Sequence, residues 1–367
     1  MARSKFRRAP RLENLESREL LSTVTPSEAP STQAQYMLQM MNMVRTDPKA
    51  AVQYLEANVT PSVSSTLNYY GVNLQQALQQ IGSMQPQPPL AWNPQLAQAA
   101  QGHSQDMSSG GFQSHNGSNG STPPQRIASA GYTNAVSSGE NVYAYASSVD
   151  QAMEAFLLDW GVSDLGHRTN IMEPGVSQQN AYRDVGIGLV NGGTGSTGPL
   201  VVTQDFGTQG PSEQAQVVGS AFNDPNGSGT FQVGNGVGGV DITAVNLSTG
   251  QVSSTQTWAS GGYELGLNPG NYQLIASQNG QVISSQSLSV GNVNIERDIN
   301  LSANWQGGSL SSAISSAQAS TPMAARPVVA MQMMSFKVAS PPTVQTPTVA
   351  SALNFDWTVS TAKKSTL

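Results

Sequence analysis

Three histidines occur in the 367-residue chain, and two stand where an imidazole could do chemistry. His115 lies in "FQSHNGSNG" and His167 in "LGHRTN", both in Gly/Ser/Asn-rich company that reads as loop. Glu140 falls between them in "SSGENVYAY", and Asp159 ends an apolar-periodic segment just before His167. Neutral imidazole is a good ligand for Zn²⁺, and a nearby carboxylate orients such a ligand or takes a proton. The set offers metal ligands and proton acceptors on or beside loops, for binding or for metal-assisted hydrolysis. Taken singly, each histidine also reads as an ordinary loop residue. No H-E-x-x-H helix, P-loop or G-x-S-x-G elbow accompanies them. His103 is different: it falls on the apolar face of a helical segment and reads as a half-buried structural histidine. The absence of cysteine removes disulfides, thiolate ligands and a cysteine nucleophile.

The elements that must position these residues follow from periodicity and capping. "QAQYMLQMMNMVRTDPKAAVQYLE" reads as helix, with Tyr36, Met40 and Val44 on one face and a break with a fresh N-cap at the "TDP" of 46–48. Asn93 and Pro94 open a second helix with Leu96, Ala99, Ala100, His103 and Met107 on one face. Residues 108–126 read as loop. A third helix spans 148–160, capped by Ser148 and striped by Val149, Met153, Phe156 and Trp160. "RDVGIGLV" and "PLVVTQDFG" then read as strands. Helices followed by strands, without βαβ alternation, predict an α+β domain over 33–210.

From 211 the pattern changes to short alternating strands, "GVDITAV", "GYELGL", "NYQLIAS", "QVISSQ" and "NVNIERDINL". An Asn-Gly hairpin turn sits in "QNGQ". This predicts a small all-β, Ig-like sandwich over 211–303. "DPNGSG" sets Asp224, Asn226 and Ser228 at alternate positions, the first half of an EF-hand-type Ca²⁺ loop. Asn235 takes the place of the closing acid, so such a site is weak, and a plain turn fits the same letters. Residues 1–32 read as leader and linker. Residues 304–367, rich in Ser, Ala, Pro and Thr, read as a disordered low-complexity tail.

Only 10% of residues are charged and the net charge is −6. No basic stripe points to nucleic acid. No run of about 18 apolar residues provides a transmembrane segment. The N-terminal stretch lacks the apolar core of a secretory signal. The abundance of Gly, Pro, Ser, Thr, Asn and Gln suits an exposed, extracellular-type surface.

One stretch carries a resemblance: "NPQLAQAAQGHSQDM…GGFQSHNGSNGSTPPQRIASAGY…SGENVYAY…AFLLDWGVSDLGHRTNIM…DVGIGL…VVTQDFG". It resembles the CAP superfamily, the SCP-like domain of cysteine-rich secretory proteins, antigen 5 and plant pathogenesis-related proteins. It is closer to the bacterial, disulfide-free branch. The resemblance implies an α-β-α sandwich with an open cleft holding two His and two acids. By motif these are His115 ("F-x-S-H"), Glu140 ("G-E-N"), His167 ("G-H-R-x-N") and Asp159. Asp159 is one methylene shorter than the family's usual Glu, and capping the helix end or pairing with Arg168 is its alternative use. Gly166 would permit a tight turn, His167 would project into the cleft, and Arg168 and Asn170 would tie the loop to its surroundings.

In such a cleft the imidazoles of His115 and His167 can hold a Zn²⁺ or similar ion, with Glu140 orienting a ligand or taking a proton from water, although no third strong protein ligand is visible. A lipid, sterol or peptide is the implied ligand. No nucleophile is placed by motif, so a binding module is favoured over a hydrolase. A structural surface protein with a vestigial cleft is the third reading. "VVGSAFNDPNGSGTFQVGNGVGGVDITAV" and "GYELGLNPGNY" resemble bacterial B-type repeats and carboxypeptidase-regulatory-like folds over 216–303. "LENLESRELLS" resembles a leader of exported bacterial proteins. Together these predict an extracellular or cell-surface protein, with cell-surface components as candidate partners.

Overall fold

The computed structural model describes residues 28–210, 212–302 and 307–320. The leader over 1–27 and the tail over 321–367, with the expectations attached to them, lie outside the described residues.

Helix α1 (Thr32–Thr46) gives way to α2 (Pro48–Asn58) at Asp47. The Asp47 carboxylate accepts the N–H of Lys49 at 3.0 Å, and Pro48 needs no partner at the first helical position. Two helices the periodicity reading did not assign follow, α3 (Pro61–Tyr70) and α4 (Leu74–Gly82), capped by Thr60 and Asn73. β1 (Ala91–Trp92) leads into α5 (Pro94–Gly110), whose N-cap Asn93 accepts from the N–H groups of Gln95 and Leu96. Residues 108–126 are not all loop: α6 (Pro123–Ser129) starts inside them. Its start is fixed by Pro123 and by the Gln125 carboxamide, which reaches back to the Thr122 N–H at 2.9 Å. Next come β2 (Ser137–Ala146), α7 (Val149–Leu158), α8 (Gly166–Met172), β3 (Asp184–Asn191) and β4 (Leu200–Thr208). Glu140 thus lies on a strand and His167 on a short helix, where loop was expected.

The sheet order is β1-β3-β4-β2, with β1 and β3 parallel, the other pairs antiparallel, and β2 at an edge. Helix α5 lies directly on one face. A Cβ at Gly186 would come within 1.9 Å of the Ala97 backbone, and one at Gly188 within 2.3 Å of Ala100, so only glycine permits this approach. The opposite face packs Val202 and Phe206 against Met41 of α1 and Met153 and Phe156 of α7. The result is three layers, α-β-α.

The second domain comprises β5 (Gln216–Phe222), β6 (Asp241–Asn246), β7 (Val252–Gln256), β8 (Gly262–Gly266), β9 (Gly270–Gln278), β10 (Gln281–Val290), β11 (Ile295–Glu296) and β12 (Ile299–Asn300). One antiparallel sheet runs β10-β9-β6-β7, and β5 pairs with β8, β11 and β12. Val217, Ile242, Leu274, Leu288 and Ile299 fill the space between them. The hairpin turn has positive φ at both Asn279 (51°) and Gly280 (75°), as an Asn-Gly turn of this kind requires. The region expected to be tail contains α9 (Leu310–Ala319). Leu310, Ala313, Ile314 and Ala317 share a face that packs on Val245, Ile275 and Val282.

The two domains meet through polar contacts and through Trp258, which packs against the first domain's core. The Ser220 hydroxyl donates to the Gln39 side chain at 2.8 Å. Asn294 donates to the carbonyls of Pro89 (3.1 Å) and Arg183 (2.8 Å). The Trp92 N–H donates to Glu264.

Candidate functional site

Strand β2 carries the site on both its faces. Glu140 stands opposite Asp205 and Asn141 opposite Gln204 in the register with β4. Successive strand side chains point to opposite faces, so Glu140 serves the α5 side and Asn141 the α7 side.

On the α5 side, the buried Glu140 carboxylate faces His115 Nδ1 at 2.8 Å and accepts from Arg126 of α6. Arg126 also donates to the carbonyls of His115 (2.9 Å) and Ser121 (2.8 Å), so the ion pair ties down the loop that carries His115. The imidazole itself is 55% exposed. Behind it His103 is buried, with Nε2 at 2.7 Å from the Ser114 carbonyl, and burial holds its pKa below the ordinary value. Asp205 of β4 is fully buried opposite Glu140, its carboxyl against the Glu140 carboxyl. Burial first, and then the neighbouring Glu140 charge, push its carboxyl well above the usual carboxylate range.

On the α7 side, Asp159 ends its helix in the left-handed region (φ 53°). Its carboxylate meets His167 Nδ1 at 2.9 Å and accepts the backbone N–H groups of His167 (3.2 Å) and Arg168 (2.9 Å). One side chain therefore caps α8 and holds the ring. This explains why His167 is helical. The Arg168 guanidinium donates to the Leu157 carbonyl (2.6 Å) and to Gln80 (3.1 Å), so its tie to Asp159 runs through the backbone. His167 packs on Phe156, ring centroids 5.2 Å apart.

Two asparagines join the halves. Asn170 donates to the Glu140 carbonyl (3.2 Å) and to Asn141 (2.9 Å), and Asn141 donates to the His167 carbonyl (3.2 Å) and to Gln204 (3.0 Å). The far end of α8 is anchored by Arg45 of α1. This fully buried guanidinium pairs with Glu173 at 2.9 Å and donates to the carbonyls of Ile171, Pro88 and Tyr182.

An ionised carboxylate can only accept, so each Nδ1 carries a hydrogen, and in the neutral ring Nε2 keeps the lone pair. His167 lines a cleft of about 580 Å³ with Gln113, Tyr143 and Trp160, and His115 is outside that lining. The site thus comprises two histidine–carboxylate pairs, His115–Glu140 and His167–Asp159, both tied to β2. For the expected Zn²⁺ the ligating atoms would be the two Nε2, each ring being oriented by its carboxylate on Nδ1, but among the described residues no three His, Asp or Glu gather as a metal centre needs.

In the second domain, Asp224 accepts from the Ser228 N–H (2.9 Å), the Ser228 hydroxyl (3.0 Å), the Gly229 N–H (2.8 Å) and Asn300 (3.1 Å). Asn226 also accepts from the Ser228 N–H, at 3.3 Å. These bonds make an Asx-type turn, with every Asp224 oxygen engaged.

Sequence reasoning missed Asp205, Arg126 and Arg45. Asp205 stood in a segment read as a strand, but its neighbour Glu140 is distant in the chain. Arg126 stood in a segment read as loop, and nothing local marked Arg45.

With this geometry in place, comparison with known proteins gives consistent answers. Residues 38–206 match the model of the cysteine-rich secretory protein family, CAP, and residues 228–302 match the carboxypeptidase regulatory-like domain. The chain therefore carries a CAP domain followed by a carboxypeptidase regulatory-like domain. Among solved structures it is similar to an extracellular protein containing a SCP domain from Bacillus anthracis str. Ames. That match has 24% identity and a TM-score of 0.26, and covers 40% of this chain and 43% of the other. No curated protein matches the chain. No helix among the described residues is long and apolar enough to cross a membrane.

Proposed function

We propose that this is an exported, extracellular protein whose CAP domain binds a small ligand in the cleft beside His167. The observation that carries this reading is the Asp159–His167 pair. A buried carboxylate fixes the ring by Nδ1 at 2.9 Å, on a residue that lines a cleft of about 580 Å³. That volume is within the range of small-ligand sites, about 300–1,000 Å³. A ring so fixed offers Nε2 as an oriented acceptor, at little ordering cost on binding. The family description and the Gly-, Pro-, Ser-, Thr-, Asn- and Gln-rich composition support an extracellular setting. A small-molecule fragment screen on the full chain, read by imidazole ¹⁵N shifts, tests the proposal. Bound fragments should move His167 and leave His103 unmoved, and His167→Ala should abolish their binding. Fragments that bind equally well to His167→Ala would refute it.

A second reading has one observation in its favour. A carboxylate-oriented imidazole is also the arrangement of a general base, and the same tautomer ligates metals. In that case His167 activates water, with or without a divalent ion shared with His115. Neither ring hydrogen-bonds a hydroxyl nucleophile among the described residues. Cleavage of a peptide library by the full chain, lost in His167→Ala, would establish hydrolysis over binding.

A further inference from the structure

The cleft beside His167 has a distinct chemical character, and the ligand class it selects is a refinement that rests on the binding reading. Among the described residues that line it there is no Asp, Glu, Lys or Arg. A ligand with a fixed charge would lose its hydration there without gaining a partner.

Its walls are instead aromatic and hydroxylated. Tyr69 is 83% exposed, Tyr70 52% and Tyr145 44%, and all three line the cleft. Tyr69 and Tyr70 stand edge to face with centroids 5.0 Å apart, while Tyr143 meets Tyr145 at 6.0 Å and Trp160 at 6.1 Å, both nearly perpendicular. Aromatic surface is therefore offered to solvent in several planes. Gly161 lies against Tyr70, where a Cβ would come within 3.1 Å of the ring, so the tyrosine packs on bare backbone.

The polar groups are oriented too. Gln113 accepts the Ala144 N–H at 2.8 Å through its carboxamide oxygen, which fixes the plane and turns the NH₂ outward as a donor. Thr66 donates its hydroxyl to the Ser62 carbonyl at 3.1 Å, which leaves its oxygen able to accept.

We infer that the cleft takes an uncharged oligosaccharide, with pyranose faces stacked on Tyr69 and Tyr70 and sugar hydroxyls bonded by Gln113 and His167. The axial C–H groups of a pyranose are weakly positive and meet the negative faces of aromatic rings. Its hydroxyls both donate and accept, as this neutral lining does. An acyl chain would bury the hydroxyls and the carboxamide without partners. A peptide strand adding to the edge of β2 would find the Ala144 N–H already taken by Gln113.

Isothermal titration of the full chain with cellotetraose, chitotetraose and maltotetraose tests the inference. At least one should bind, and Tyr70→Ala should weaken it about ten-fold. Tyr70→Phe, which keeps the ring, should stay within about two-fold of wild type. Saccharide binding indifferent to Tyr70→Ala overturns the inference, because the sugar then sits elsewhere. If no saccharide binds but an uncharged tetrapeptide or phosphatidylcholine vesicles bind in a Tyr70-dependent way, the saccharide inference falls and the binding reading stands. If none of these probes binds and none moves the His167 resonances, both fall.

Discussion

Asp159 holds His167 by ring and backbone at once, with one carboxylate oxygen 2.9 Å from Nδ1 and 3.2 Å from the main-chain N–H. The other oxygen takes the Arg168 N–H, so the start of α8 depends on this side chain. Asp159→Ala should destabilise the full chain by about 1–2 kcal/mol through loss of the cap alone. Asp159→Asn keeps an acceptor for the helix end and should lie closer to wild type. Urea denaturation midpoints compare the two, and equal losses would mean that capping is not what Asp159 contributes.

The other end of α8 depends on the buried pair of Arg45 and Glu173. Removing one member of such a pair strands the other charge, which typically costs about 3–5 kcal/mol. Arg45→Met should therefore be among the most destabilising single changes in the CAP domain. Equilibrium unfolding measures it, and a loss below about 1 kcal/mol would place the pair in the surface class instead.

Glu154 of α7 gives the fold a pH dependence. Burial first, and then the neighbouring Asp150 charge, raise its pKa from 4.5 to about 7. The folded state therefore binds more protons than the unfolded state between those values. The contribution is fully present below the unfolded pKa and is lost as pH rises through about 7. Glu154→Gln should remove this slope, so its stability relative to wild type should rise by up to about 3 kcal/mol between about pH 5 and pH 8. Parallel slopes for the two proteins across that window would contradict the assignment.

Calcium should have little to act on in the second domain. Asp224 is occupied by four donors within its own turn and Asn300. Millimolar Ca²⁺ should leave the melting temperature unchanged, while Asp224→Ala should lower it through the lost turn bonds. A saturable rise in melting temperature with Ca²⁺, absent in Asp224→Ala, would restore the ion-site reading.

The parts of the fold legible in the sequence were those written in local signals. Asn93-Pro94 and Ser148 opened helices where capping chemistry placed them, and Asn279-Gly280 made its hairpin. The CAP resemblance brought four site residues to attention, and each histidine does have a carboxylate partner. What local signals could not carry was sidedness. Whether Glu140 and Asn141 face together or apart depends on β2 being a strand, and its Gly-, Ser- and Asn-rich start reads as loop. The helical state of His167 depends on a cap eight positions back, contributed by a residue in the left-handed region. Arg45 and Asp205 matter through partners distant in the chain. Helix α9 did have a readable i, i+3, i+4, i+7 stripe, from Leu310 to Ala317, hidden by its Ser/Ala-rich surroundings.

Both histidine–carboxylate pairs should lock their rings into one tautomer, and the binding reading depends on it. With only three histidines in the chain, long-range ¹H–¹⁵N imidazole spectra of the full protein resolve each ring. Neutral His115 and His167 should show Nδ1–H with a bare Nε2, and Asp159→Asn should reverse this at His167 alone. Rings that sample both tautomers freely, or that carry the hydrogen on Nε2, would contradict it.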